Sequence, residues 1–91
     1  MNNKGIVKIT IKYIVNLSEK AGLKEEEVSF PKGSTLHDVS GYLKDSRNII
    51  IPSTWVMAVL NGKGWEQHPD KWDTVIADGD IILLFPPISG G

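Results

Sequence analysis

A chain of 91 residues with no cysteine has room for one core, and it excludes disulfide staples, thiolate metal sites and a cysteine nucleophile. Ten basic and eleven acidic residues leave a net charge of -1, without the basic excess that nucleic-acid binding requires. With 41% hydrophobic and 23% charged residues the composition is that of an ordinary globular domain, able to fold without metals. The opening MNNKGIVKIT carries no apolar h-region, and no apolar run approaches the ~20 residues that span a bilayer. The expectation is a single cytoplasmic domain with no membrane partner and no nucleic-acid partner.

In chain order, VKITIKY places Val7, Ile9, Ile11 and Tyr13 on one side and Lys8, Thr10 and Lys12 on the other, the period-2 pattern of a strand with one buried face. NLSEKAG breaks that pattern and ends in Gly22, which predicts a turn. EEEVSF predicts a second strand ending at Pro31, so residues 5 to 30 read as a hairpin with a wide loop. Leu36, Val39 and Leu43 then fall at i, i+3 and i+7, one stripe of an amphipathic helix. Ser34 or Thr35 can cap it, and with Thr35 as cap Asp38 completes a capping box.

WVMAVL predicts a third strand running into Asn61-Gly62, a dipeptide suited to a tight hairpin, with Trp65 returning in a short fourth strand. HPDKWDTVIADGD predicts a loop closed by the Asp78-Gly79 turn. The apolar run IILLF predicts a last strand buried on both faces, hence central and paired in parallel with the first. The fold class is therefore α+β: a ubiquitin-like β-grasp, a mixed four- to five-stranded sheet with one main helix on one face. Residues 1–85 would form the domain and residues 86–91 a flexible tail.

Side-chain chemistry is sparse. His37 and His68 have no companion ligands at useful spacing and are expected at the surface. Glu25, Glu26 and Glu27 read as a solvated run. Trp55, Trp65 and Trp72 read as core, with room for one in an exposed interaction patch. Ser18, Ser29 and Ser34 lack the context of a nucleophile.

The tail FPPISGG is the exception. Six residues from Pro86 to Gly91 reach about 20 Å when extended. Pro86 and Pro87 fix φ and set an exit direction, while Gly90 and Gly91 lack a Cβ and suit a narrow channel in another protein. A terminal glycine leaves its carboxylate open to reaction with a nucleotide phosphate.

DGDIILLFPPISGG resembles the C-terminal signature of the small subunit of molybdopterin synthase, a ubiquitin-like sulfur carrier. KITIKYIVNLSEKAG, FPKGSTLHDVSGYL and VLNGK are similar to that family's opening strand and turn, its helix entry and its strand-turn. The resemblance implies that Gly91 is adenylated and then converted to a thiocarboxylate, with no bound cofactor and with ATP consumed by a partner that resembles ubiquitin-activating enzymes. It implies that Gly90, Ser89 and Ile88 thread a partner's channel, that Phe85, Pro86 and Pro87 set the tail's angle at its mouth, and that the large synthase subunit receives the sulfur.

Ile14 corresponds to a surface position often aromatic in the family. Leu17-Ser18-Glu19 departs from an LRE-like run, and the loop 64–77 is longer than expected, with two tryptophans. The chain would then be a carrier rather than an enzyme. Readings that remain open are a carrier for thiamin or for tRNA thiolation, a ubiquitin-like modifier of lysines, and a non-covalent β-grasp binding module.

Overall fold

The computed structural model describes residues 5–87. Strand β1 spans Ile6–Tyr13, a short helix α1 Leu17–Ala21, β2 Glu25–Pro31, α2 Leu36–Arg47, β3 Met57–Leu60, β4 Lys63–Gly64 and β5 Ile81–Phe85. Two single-turn 3-10 helices, Trp65–Gln67 and Lys71–Asp73, lie between β4 and β5. The strands form one mixed sheet in the order β2-β1-β5-β3-β4. β5 is central, parallel to β1 with Ile11 opposite Ile82, and antiparallel to β3 with Met57 opposite Phe85. This is the β-grasp arrangement expected from the pattern.

Alternation in β1 sends Val7, Ile9, Ile11 and Tyr13 into the core, where they meet Leu60 of β3 and Ile82 and Leu84 of β5. Helix α2 lays its predicted stripe of Leu36, Val39 and Leu43 on this surface, all three fully buried. Burying one such side chain contributes roughly 1.5–3 kcal/mol, which is what holds a helix whose interior contains Gly41. Its start is capped as expected: Thr35 Oγ1 accepts from the His37 N–H at 3.2 Å, and the Asp38 carboxylate accepts from the Thr35 N–H at 2.9 Å. Asn48 closes its end in the left-handed region, and the Ile49 N–H donates to the Leu43 carbonyl at 3.0 Å.

Several expectations are corrected. NLSEKAG is not a plain turn: Leu17 and Ala21 face the core on one turn of helix. The third strand begins at Met57 rather than at Trp55, and Trp65 opens a 3-10 turn instead of lying in a strand. The run 81–85 is buried on one face only, because no helix among the described residues covers the other: Ile82 and Leu84 are fully buried, Leu83 and Phe85 half-buried and Ile81 exposed.

Glu26 is not part of a solvated run. The register opposite Ile11 turns it inward, where it accepts from Tyr13 Oη at 2.6 Å, Tyr42 Oη at 2.8 Å, and Arg47 Nη2 and Nε at 2.6 and 2.9 Å. His68 is half-buried, and its Nε2 lies 3.1 Å from the Leu60 carbonyl and 3.2 Å from that of Lys63. Two carbonyl acceptors at one nitrogen require the proton there, so His68 clasps the β3–β4 turn.

The loop 64–77 is stitched to the core. Trp65 is buried and meets Trp72 edge-to-face with ring centroids 5.1 Å apart. The Leu36 N–H donates to the Thr74 carbonyl at 3.1 Å and the Ile76 N–H to the Ser34 carbonyl at 2.9 Å, which brings Ile76 under the start of α2.

Candidate functional site

The tail's direction is set by the turn that starts β5. Gly79 adopts a φ of 90° and donates its N–H to the Lys8 carbonyl at 2.8 Å. Asp78 accepts from the Lys8 N–H at 2.8 Å, which ties the turn to β1. Asp80 accepts from the Ala77 N–H at 2.7 Å and from Asn61 Nδ2 at 3.0 Å, and the Asn61 side chain in turn accepts from the Ile81 N–H at 2.9 Å. Each acidic residue of Asp-Gly-Asp therefore pins the entry of β5, one to β1 and one to the β3–β4 turn. Asn61 and Gly62, both at positive φ, make the tight hairpin that brings this second anchor into reach.

At the other end of β5 the Ile14 N–H donates to the Leu84 carbonyl at 2.9 Å, so pairing with the first strand's line continues to the last residues of β5. Phe85 is the last residue of the strand, and Pro86, with no N–H to donate, ends the ladder there. Phe85, Pro86 and Pro87 are all half-buried. Ile88, Ser89, Gly90 and Gly91, and with them the reactive end that the resemblance implies at Gly91, lie outside the described residues.

Two apolar surfaces meet at this exit. One is the sheet face that α2 does not cover. Register puts Met57 opposite Phe85 and Val59 opposite Leu83 on that face, with Ile81 farther along β5. Met57 is 48% exposed, and Ile14 at the end of the first strand is 38% exposed. The stripe runs along β5 towards the exit, which brings Ile14 and Phe85 to one end of one face.

The other surface is a groove of about 700 Å³, lined by α1, the segment after α2, the turn before β3 and the two prolines. Its apolar wall is built from Leu17, Ile49, Ile50, Val56, Pro86 and Pro87. Trp55 stands at its edge, 77% exposed. The composition of the chain offered an exposed tryptophan as one option, but nothing local to residue 55 separated it from Trp65 and Trp72. Lys20, Ile50 and Val56, from segments distant in sequence, carried no signal for this groove.

A model described as the ThiS family matches residues 11–91. Among solved structures, the putative molybdopterin converting factor subunit 1 of Pyrococcus furiosus is 26% identical, with a TM-score of 0.74 over 90% of this chain and 99% of its own. Small archaeal modifier protein 1 of Methanosarcina acetivorans is 27% identical, with a TM-score of 0.73 over 94% of this chain and 98% of its own. Urm1 of Trypanosoma brucei, 18% identical with a TM-score of 0.63 over the whole of both chains, shares the fold. No curated protein matches the chain. With the family model running from β1 through the Gly-Gly end, the chain belongs to the ThiS family of small ubiquitin-fold sulfur carriers and modifiers.

Proposed function

We propose that this chain is a sulfur carrier for molybdopterin synthesis, with Gly91 as the atom-transfer site. The observation that carries the reading is the anchoring of β5: Asp78 and Asp80 fix one end of the central strand, and Pro86-Pro87 follow directly from the other. A strand anchored in this way and followed by two prolines gives the tail a set exit direction, and Gly-Gly puts no side chain beside the carboxylate. A terminal carboxylate oxygen attacks the α-phosphorus of ATP and pyrophosphate leaves, giving an acyl adenylate. A sulfide nucleophile then attacks the acyl carbon and AMP leaves, giving the thiocarboxylate.

The partners in this reading are a ubiquitin-activating-like adenylyltransferase, which binds and spends the ATP, and the large subunit of molybdopterin synthase, which takes the sulfur. The chain contributes docking surface and tail rather than catalytic side chains. The test is the intact mass of the chain after incubation with such an adenylyltransferase, ATP and a sulfide source. The expected result is replacement of one oxygen by sulfur, absent from a variant lacking Gly91. An unchanged mass, with the enzyme active on another carrier, would overturn the reading.

The likeness to a small archaeal modifier protein favours a second reading, in which Gly91 forms an amide with lysines of other proteins. Higher-mass conjugates that disappear with Gly91 would select it.

A further inference from the structure

The groove at the tail root has a composition that the carrier chemistry does not call for. Trp55 is held out by a short constrained turn: its N–H donates to Ser53 Oγ at 2.9 Å, and Ser53 and Val56 form an antiparallel bridge on either side of it. Ile50, at the opposite side of the Asn48–Ile50 segment from the fully buried Ile49, is also exposed. A tryptophan can bury 150–250 Å² on docking, and here its presentation costs little further conformational entropy because the turn already fixes the backbone.

Among the described residues, Lys20 is the single charged residue lining the groove, and no carboxylate lines it. Among the described residues Lys20 forms no ion pair. The groove is thus apolar with one cationic corner. Its wall includes Pro86 and Pro87, so a protein that grips the tail passes alongside it.

We propose that this groove is a second docking surface, filled by a segment of the tail-activating enzyme that presents an apolar side chain against Trp55 and Ile50 and a carboxylate to Lys20. This rests on the carrier reading and extends it. The tail root would be held from two sides, the open sheet face through Ile14, Met57 and Phe85, and the groove through Trp55 and Lys20. The groove then discriminates between activating enzymes, since a partner with a basic or bulky polar segment at this place would leave Lys20 facing like charge or desolvate its own polar groups.

The experiment uses the full-length chain and its adenylyltransferase, with ATP–pyrophosphate exchange as readout. Trp55→Ala is expected to raise KM for the chain at least about tenfold while kcat stays within about twofold, with Trp55→Phe recovering most of the loss. Lys20→Glu is expected to raise KM by about threefold to tenfold in low salt and less at high salt, whereas Lys44→Glu, the same charge change on the exposed side of α2, leaves it within about twofold. Unchanged thermal melting of each variant shows that folding is not the cause.

If the wild-type chain is adenylated and both Trp55→Ala and Lys20→Glu leave KM within about twofold, the groove assignment is wrong and the carrier reading stands. If the wild-type chain supports no exchange with an enzyme active on another carrier, the carrier reading fails and takes the groove assignment with it. A dimer of the purified chain that Trp55→Ala dissociates would give the groove to a second copy and overturn the proposal.

Discussion

Val15 has a φ of 59°, in the left-handed region where a β-branched side chain is crowded by its own backbone. It is 68% exposed, so little packing offsets that crowding. The conformation is imposed by its neighbours: Ile14 must still donate to Leu84, and two residues later Leu17 must enter the core. Strain of this kind costs on the order of 1–3 kcal/mol and tends to sit beside functional surfaces. Val15→Asn, which suits the left-handed region better, is expected to stabilise the fold by about 1 kcal/mol. A higher urea midpoint at an unchanged slope is the expected observation, and a lower midpoint would mean that Val15 packs better than its exposure indicates. No local pattern announces this residue, because its neighbours Ile14 and Asn16 leave the turn geometry open.

At the scale of elements, α2 was legible because three signals agree: a stripe at i, i+3 and i+7, a cap with its acid three residues on, and apolar partners on the strands. Its one local defect is Gly41, exposed, at ordinary helical φ, and with nothing within 4 Å of a built Cβ. Gly41→Ala is therefore expected to stabilise the helix by about 0.5–1 kcal/mol and raise Tm by several degrees, read by thermal melting. A fall in Tm would show that the glycine serves the helix in some other way.

Helix α1 was not legible for a physical reason. Five residues are too few to display a helical period, and a helix that short forms only because Leu17 and Ala21 are drawn into the core. The segment after β4 failed in the opposite sense. Trp65 suits a strand by propensity, yet it is pulled into a 3-10 turn that packs it edge-to-face against Trp72 and buries it. Tertiary packing overrode the local preference in both.

At the scale of the whole molecule, the group around Glu26 joins four elements. Tyr13 comes from β1, Glu26 from β2, Tyr42 and Arg47 from α2, and Arg47 Nη1 also reaches the Ala21 carbonyl of α1 at 3.4 Å. Burial pushes the Glu26 carboxyl up, but hydrogen bonds from Arg47, Tyr13 and Tyr42 outweigh it and hold the group below the ordinary carboxylate range. Burial, and then the hydrogen bond to Glu26, push the Tyr13 and Tyr42 hydroxyls up.

The signs follow by linkage. A depressed carboxyl stabilises the fold above its unfolded value of about 4.3, and that contribution is lost as pH falls through the lower folded value. Raised tyrosines stabilise the fold below their unfolded value of about 10 and lose that contribution as pH climbs towards the folded value. The contribution of this group to stability is expected to be flat between about pH 5 and 9 and to fall on both sides. Glu26→Gln should cost roughly 2 kcal/mol at pH 7, with the gap to the wild-type chain closing in strong acid. Urea midpoints across the pH range measure both effects, and a gap that stays constant into acid would show that the carboxylate's charge contributes nothing.

The alternation of β1, the stripe and capping box of α2 and the Asn61-Gly62 and Asp78-Gly79 turns were legible in the sequence. These are encoded within a few residues of one another, where backbone sterics and hydrogen-bond reach act directly. It took tertiary packing to turn Glu26 inward, to leave one face of β5 uncovered among the described residues, and to gather Leu17, Lys20, Ile50 and Trp55 beside Pro86 and Pro87. Those outcomes depend on strand register and on which distant segments the core brings together. A one-residue change of register reverses every side chain of a strand, so composition alone does not fix them.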